Sequence, residues 1–416
     1  MFKRLVLLKY LHEESVLSRL TPDIHRKFHT RPPLVKYKPD SVKNILDRIW
    51  RLTNISIDLA FYAYFAKDYE LALRILELDK TIVENIGQFV MHNSMAFRRS
   101  REGGYASLLS FYYSSAIDTI SDSVKDIVYT LLIGYTPRLR YAQILPYIDG
   151  EIIAKLRIDR DLKVLELTDK YPVDIIVIVN GDKYRFAPRQ DENVHKGSVL
   201  YVRGFKENVM RLLADHGVEY GVEDLEIPEL EQVIKSIVNI KDCTILMLDL
   251  AHYVLMEHSP ELMEEVEDLE IHIDWRHMET MDQLRSLANK IDPDTFMGLI
   301  TLLKELEDIA DASNTISYIP GLQEEFPEEY KELFSKIFES FGEKVKTVTI
   351  SRDANLSSLE HYLRKYGGTI LAIRTRDTWV AYPFARDMVL RPGDRLIIVY
   401  QEEFSDEIER LLRTKV

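Results

Sequence analysis

Cysteine and long hydrophobic runs are nearly absent from this sequence of 416 residues. The single cysteine, Cys243, excludes an intramolecular disulfide and any zinc site built from four cysteines. It stands in an apolar stretch, so we expect it to be a small buried core residue. No apolar run, residues 175–179 included, approaches the roughly 20 residues that a membrane-spanning helix needs. These absences predict a cytoplasmic protein without a transmembrane segment.

Short catalytic and nucleotide-binding motifs are also absent. We find no P-loop, no His-Glu-x-x-His zinc motif and no nucleophile elbow. No Gly-x-Gly-x-x-Gly follows any predicted strand, so neither an NAD nor an ATP site is evident. Catalytic groups need not be close in sequence, so this absence does not prove inactivity. The sequence nevertheless favours a protein that is not an enzyme.

The net charge of −14 is unevenly distributed along the chain. Residues 1–38 contain nine Lys or Arg against three Asp or Glu, and this excess of six positive charges leaves −20 on the rest. An acidic body of this kind does not bind nucleic acid through its general field. The basic opening is predicted to be a poorly ordered extension, with an arm that touches a partner or an anionic membrane as the alternative.

Helical and strand-like segments alternate twice along the chain. Helical periodicity dominates residues 41–134 and again 229–317, while short β-type runs dominate 151–202 and again 345–400. The repeat indicates an internal duplication. The predicted fold class is therefore α+β multidomain, with two copies of a three-helix bundle followed by a small β-α-β-β-β-α module. The predicted segments are 1–38 for the basic extension, 39–137 and 226–320 for the helical domains, and 148–217 and 343–414 for the α/β modules.

Capping and turn residues place the element boundaries. Ser259-Pro260-Glu261 and Asp292-Pro293-Asp294 each combine an N-cap, a proline at the first helical position and an early acid. Asn180-Gly181 is the strongest short hairpin signal in the chain. The pattern predicts long helices at 41–66, 69–99, 105–133, 229–257, 260–289 and 293–317.

Both kinds of segment contain recognisable motifs. In the α/β modules these are residues 356–363, 368–374, Pro383 and 390–399, with 174–180, Pro188 and 195–202 in the first copy. In the helical parts they are residues 269–274, 306–311 and, more faintly, 117–122. Through these residues the α/β modules resemble the TrkA C-terminal domain, also called RCK-C, and the helical parts resemble PhoU domains. The combination resembles archaeal potassium-channel-related regulatory proteins.

The resemblance implies a regulator rather than a transporter. It implies a non-enzymatic sensor of cation (potassium) transport that binds a small effector or ion and acts on a separate membrane transporter or channel subunit. It also implies assembly as a homodimer. The alternative is a metal-binding PhoU-type signalling adaptor linked to phosphate or metal status, and a hydrolytic metalloenzyme is a third, more distant reading. The nucleotide-binding N-terminal half of a full RCK subunit is missing, so the resemblance implies neither NAD nor ATP binding.

Four carboxylates in the second helical part form the candidate metal site. Glu270 and Asp274 are four residues apart, as are Glu307 and Asp311, so each pair lies on one helix face. Reflection through the turn at 289–293 places Glu270 opposite Asp311 and Asp274 opposite Glu307. Oxygen ligands of this kind suit Mg²⁺, Mn²⁺ or iron, and the PhoU resemblance implies metal binding as well. The alternative is an acidic helix face whose carboxylates extend into water.

The first helical part offers an internal control. The mirrored set is Lys80 and Glu84 against Asp118 and Asp122, and we expect Lys80 to face Asp122 as an ion pair that replaces a cation. The first copy is therefore predicted to be metal-free.

Two further features of the second copy are not predicted to be part of a site. His272 is excluded from the site because it points to a different helix face from Glu270 and Asp274. Arg374 and Arg376 are predicted to lie at a solvated hairpin tip, with an anion-binding role as the alternative.

Overall fold

A computed structural model describes most of the chain, and it leaves most of the predicted basic extension outside the described residues. The described ranges are 35–96, 103–148, 150–218, 221–257, 260–323, 343–365, 368–375, 378–381, 388–401 and 404–415. Within the predicted extension 1–38, only residues 35–38 are described. Ser259 and Arg376 also lie outside the described residues.

Long helices and short strands follow one another in the predicted order. The helices are α1 Val42–Ala66, α2 Tyr69–Ala96, α3 Gly103–Leu132, α4 Tyr141–Ile144, α5 Val164–Lys170, α6 Lys206–Asp215, α7 Leu230–Glu257, α8 Pro260–Leu287, α9 Pro293–Ser317, α10 Ile319–Gln323, α11 Leu356–Lys365 and α12 Ser405–Lys415. The strands are β1 Glu151–Arg157, β2 Leu162–Lys163, β3 Val173–Asn180, β4 Lys183–Phe186, β5 Asn193–Val194, β6 Val199–Phe205, β7 Glu343–Thr349, β8 Ala354–Asn355, β9 Thr369–Arg374, β10 Trp379–Ala381, β11 Val389–Leu390 and β12 Arg395–Gln401.

The protein is an α+β multidomain protein, which confirms the predicted fold class. The first four-stranded sheet has the order β1-β6-β3-β4 and the second has β7-β12-β9-β10, so the two sheets share one antiparallel topology. Each sheet carries the predicted β-α-β-β-β-α order, with an additional two-stranded ladder (β2-β5 and β8-β11) beside it. The exact domain boundaries stay a prediction.

Local signals explain where the long helices begin and end. The Ser41 hydroxyl accepts a hydrogen bond from the backbone N–H of Asn44 at 3.1 Å, and the Asp292 carboxylate accepts one from the backbone N–H of Thr295 at 3.0 Å. α1 ends at Ala66, and its C-cap Lys67 has a φ of 53°, in the left-handed region. α3 begins at Gly103, two residues before the predicted start at residue 105.

The two helical bundles pack on each other. α1, α2 and α3 form one bundle, α7, α8 and α9 form the other, and α3 lies along α9 at the junction. α1 is the most enclosed helix, because residues 52–65 are buried on every face. Only a helix surrounded by neighbours can bury its full circumference, so α1 anchors the first copy.

A buried ionic network joins the first sheet to both bundles. The carboxylate of Asp58 in α1 accepts hydrogen bonds from Arg203 of β6 at 2.9 Å and from Lys241 of α7 at 3.3 Å. Asp58 and Lys241 are 8% and 5% exposed, so their charges are stabilised by each other rather than by water. Burial opposes ionisation of Asp58, but Lys241 and Arg203 outweigh it and lower its pKa.

A second contact between the copies depends on a glycine. A Cβ built on Gly298 of α9 would collide with the Tyr64 hydroxyl and lie 2.5 Å from the backbone oxygen of Tyr135. The Tyr64 hydroxyl already donates a hydrogen bond to that same Tyr135 oxygen at 3.2 Å. The absence of a side chain therefore lets α9 approach the end of the first bundle closely.

We predict that Gly298→Ala destabilises the protein by about 1–3 kcal/mol, because overpacking against a backbone carbonyl outweighs the better helix propensity of alanine. Urea unfolding followed by circular dichroism measures the change. Gly221→Ala is the matched control, because a Cβ there meets no atom within 4 Å. Equal stability of the two variants would contradict the prediction.

Candidate functional site

The candidate site lies between α8 and α9, two consecutive antiparallel helices. A short connection joins them, in which the backbone N–H groups of Lys290 and Ile291 bond back to the Leu287 oxygen at 2.8 and 3.2 Å. The Asp292 cap then starts α9. Because the connection is short and well bonded, it fixes which residues of the two helices face each other.

Three of the four predicted carboxylates meet between these helices. Asp274, Glu307 and Asp311 each place one carboxylate oxygen so that the oxygens lie within 4.8 Å of one another. Asp274 and Asp311 are exposed and Glu307 is half-buried, so the cluster opens to solvent. These distances between carboxylate oxygens are compatible with one shared cation. Among the predicted residues, this cluster is the most specific indication of a metal site.

Glu270, the fourth predicted residue, lies beside the cluster rather than in it. Burial raises the pKa of Glu270, the Asn314 side chain lowers it, and the charges of Asp274 and Asp311 raise it. Glu270 therefore lies close enough to the cluster to be affected by its charges. The structure therefore brings together three predicted ligands and places the fourth at their edge.

The carboxylates repel one another when they are ionised, which raises the pKa values in the cluster. Burial, followed by the charges of Asp311, Asp308 and Asp274, raises the pKa of Glu307 to about 7. Burial and Asp274 likewise raise the pKa of Asp311. The nearby cation Lys304 is already engaged by Asp308 and by Glu305. A bound cation or a proton would relieve the repulsion.

His277 is a residue of this region that the sequence reasoning missed. Its Nε2 atom is buried and has no hydrogen-bond partner among the described residues. Burial lowers the pKa of His277, although Asp274, Asp308 and Asp311 raise it, so these acids lie near the ring. The spacing Asp274-x-x-His277, one helical turn, is the sequence signal that points to it.

His272, which was excluded, has no such neighbours. Burial and the positive charge of Arg276 lower the pKa of His272, and no carboxylate of the cluster contributes. Its position on another face of α8 is the physical reason.

The first helical bundle corrects one expectation. Among the described residues no ion pair joins Lys80 to Asp122; the ammonium group beside Asp122 belongs to Lys125, at 2.5 Å. Lys125 also pairs with Asp79 at 3.2 Å, and the Ser121 hydroxyl donates to Asp79 at 2.7 Å. A lysine on α3 itself therefore supplies the positive charge, because the i, i+3 spacing brings it to Asp122 directly. Whether the first copy binds metal stays a prediction.

Arg374 corrects a second expectation. It is not at a solvated tip, because its guanidinium forms ion pairs with Glu265, at 3.4 Å, and with Asp268 on α8. Arg395 of β12 pairs with the same Glu265, which is fully buried. The second sheet is thereby held against α8, the helix that carries Asp274.

Comparison with known proteins supports the PhoU resemblance for this region. A family model described as PhoU domain matches residues 237–319, which cover most of α7 and all of α8 and α9. The second helical bundle is thus similar to PhoU domains. No curated protein matches the chain.

Solved structures give weaker similarities. PhoU from Pseudomonas aeruginosa aligns with a TM-score of 0.40 at 12% identity, over 67% of this chain and 93% of that one. The phosphate transport system regulatory protein PhoU from Streptococcus pneumoniae gives 0.39 at 11% identity, over 69% and 94%. The GsuK RCK domain gives only 0.16 at 12% identity, over 73% and 79%. These TM-scores carry no argument about function.

Within the described ranges, no helix combines the length and the hydropathy that crossing a lipid bilayer requires.

Proposed function

We propose that this chain is a non-enzymatic regulator of cation transport, which binds a divalent cation between α8 and α9 and acts on a separate membrane transporter or channel subunit. The observation that carries the proposal is the convergence of Asp274, Glu307 and Asp311. The match of residues 237–319 to the PhoU domain supports a regulator of transport or signalling over an enzyme. Location in the cytoplasm and assembly as a homodimer belong to the same proposal.

Cation binding would act through the position of α8. A cation shared by Asp274 on α8 and by Glu307 and Asp311 on α9 replaces repulsion by attraction, and so draws the two helices together. Glu265, on the same helix, holds Arg374 and Arg395 of the second sheet. A shift of α8 therefore moves the anchor of that sheet, which is the surface that we propose contacts the transporter or an effector.

One observation also supports a second function. The PhoU domain match fits a metal-binding signalling adaptor linked to phosphate or metal status as well as it fits potassium regulation. In that case the helical bundles would be the working part, and the sheets would serve for association.

We predict that Mn²⁺ binds to the full chain and raises its melting temperature by several degrees. Trp275, 69% exposed and adjacent to Asp274, should be quenched by the bound ion. Asp311→Asn and Glu307→Gln should each weaken binding by about tenfold or more, because each removes a charged oxygen ligand. Fluorescence titration and thermal unfolding measure both effects. Mg²⁺ and Fe²⁺ are titrated in parallel.

Asp282→Asn is the matched control, because Asp282 lies on α8, is exposed and forms a local ion pair with Arg285 at 3.1 Å. The Trp275→Phe variant shows whether the quenched fluorescence comes from Trp275. An unchanged melting temperature and no quenching with any of the three ions would leave the carboxylates as a solvated acidic face. Binding that survives Asp311→Asn and Glu307→Gln would place the ion elsewhere.

The membrane partner that the chain recovers in a pull-down distinguishes the two proposed functions. The full chain is used as bait on detergent-solubilised membranes, with Asp311→Asn as the paired bait. Recovery of a potassium-transport subunit by the wild-type chain supports the first function, and recovery of a phosphate-transport subunit supports the second. Equal recovery by the two baits would disconnect the cation site from partner binding.

A further inference from the structure

A cavity of about 710 Å³ lies between the first helical bundle and the first sheet, far along the chain from the carboxylate cluster. Helices α1 and α2 form one wall, and strand β4 with the residues just after it forms the other. This volume falls within the roughly 300–1,000 Å³ that small-molecule sites occupy. The cavity is therefore large enough for a ligand of ordinary metabolite size.

The charge of the lining selects an anion. Four arginines line the cavity, against a single carboxylate from Asp47. They are Arg48, Arg51, Arg185 and Arg189. A concentration of guanidinium groups contrasts with the chain as a whole, whose net charge is −14. Guanidinium groups bind phosphate oxygens in bidentate geometry, so a phosphate group is the matching anion.

Two of the four arginines retain most of their donors for a ligand. Arg48 donates to Asp40 at 2.7 Å and to the Asn85 side chain at 3.0 Å, and Arg185 donates from two nitrogens to Glu192 at 3.2 and 2.8 Å. Among the described residues, the ion pair of Arg51 is a long one with Asp174, at 3.9 Å, and none is found for Arg189. A guanidinium group has five N–H donors, so Arg51 and Arg189 are the arginines that can bind a phosphate group.

Aromatic rings supply the second half of the site. Tyr184 and Phe186 alternate along β4 and so point to the same face, with ring centroids 6.4 Å apart and planes inclined by 30°. The guanidinium of Arg74 lies over the Tyr184 ring, 5.3 Å from its centroid. Phe186 is thus the ring that is placed to stack on a flat ligand.

We propose that this cavity binds a nucleotide, with its phosphate on the arginines of α1 and of the β4 segment and its base against Phe186. The two features act together, because a phosphate group would bind the guanidinium groups and a planar base would stack on the ring. The site lies between α1 and the first sheet, the same two elements that the Asp58–Arg203 pair connects. A bound nucleotide would therefore bias how the first sheet sits on its bundle.

The test is calorimetric titration of the full chain with AMP, GMP, CMP and UMP, their diphosphates, adenosine and inorganic phosphate. We expect at least one nucleotide to bind, about tenfold or more tightly than adenosine or phosphate alone. Arg51→Ala should weaken that nucleotide about tenfold, because it removes a charge-assisted contact. Phe186→Leu should weaken it about threefold while leaving phosphate binding unchanged.

Arg160→Ala is the matched control, because Arg160 is an exposed arginine of the same α/β module outside the cavity. Arg189→Ala provides a second cavity variant if Arg51→Ala unfolds. Failure of every nucleotide to bind overturns the proposal, and so does binding that all three cavity variants leave unchanged. Equal affinity for phosphate and nucleotide overturns the role of the ring. Asp311→Asn should leave nucleotide binding intact, which separates this site from the cation site.

Discussion

Replacing Asp58 by alanine is expected to destabilise the protein by about 3–5 kcal/mol, the largest effect of any substitution that we predict. Asp58 is the common partner of Lys241 and Arg203. Without it, two buried cations lose a compensating charge. Arg203 retains Glu151 at 3.6 Å and Asp174 at 3.4 Å, and Lys241 retains Asp242 at 2.6 Å, so the loss is severe but not complete.

Chemical unfolding followed by circular dichroism measures this loss. The control is Asp191→Ala, an exposed aspartate of the first α/β module, for which we expect a change within about 0.5 kcal/mol. In the double variant Asp58→Ala/Lys241→Ala, the loss should be smaller than the sum of the single losses, because the second substitution removes one of the stranded cations. Additive losses would show that the two side chains do not interact energetically.

The second large effect concerns the pH dependence of stability. Asp249 of α7 is half-buried, and its carboxylate accepts hydrogen bonds from Trp50 at 3.0 Å and Asn54 at 2.9 Å on α1. Burial raises its pKa to about 7, although Arg203 and these two hydrogen bonds lower it. Because the folded pKa exceeds the value of 3.8 expected when unfolded, the contribution of Asp249 is fully present below pH 3.8 and is lost as the pH rises through 7.

The buried ring of His252 opposes this trend. It stacks on Trp50 with centroids 4.9 Å apart, and burial lowers its pKa to about 3. A histidine with a depressed folded pKa contributes stability above the unfolded value of about 6.5 and loses it as the pH falls. The dependence of wild-type stability on pH therefore contains opposing contributions from Asp249 and His252. A variant that changes one of them is needed to separate the two.

Asp249→Asn isolates the carboxyl group, because asparagine can accept the same hydrogen bonds but does not titrate. We expect the stability of the variant relative to wild type to rise by about 2.5 kcal/mol between pH 5 and pH 8. Urea unfolding at both pH values gives the difference, in which the His252 term cancels. Asp191→Asn, an exposed site, should show no such change. A difference that is constant with pH would mean that Asp249 ionises normally.

Both effects arise where the duplicated halves meet. The Asp58–Lys241 and Asn54–Asp249 contacts join α1 of the first bundle to α7 of the second. The candidate cation site lies in the second copy, and the candidate nucleotide site lies in the first.

Sequence reasoning located the carboxylate cluster because its geometry is nearly local. Two consecutive helices with a short, capped connection must face each other in one register, so Asp274 meets Glu307 and Asp311. The same reasoning places Glu270 in the cluster, whereas its carboxylate lies beside the three that come together. Helix spacing fixes which residues share a face, but side-chain rotamers choose between partners that lie within reach.

By itself, the sequence determined the fold class, the six long helices to within three residues, and the Asn180-Gly181 hairpin, because caps, turns and periodicity act over a few residues. Only the tertiary structure decided which distant residues meet. Lys241 reaches Asp58 across 183 positions, and Phe186 lines the same cavity as the arginines of α1, because the packing of one copy on the other and of each sheet on its bundle brings these residues together. No local pattern encodes that packing, since it follows from the shapes of whole surfaces that exist only after the chain has folded.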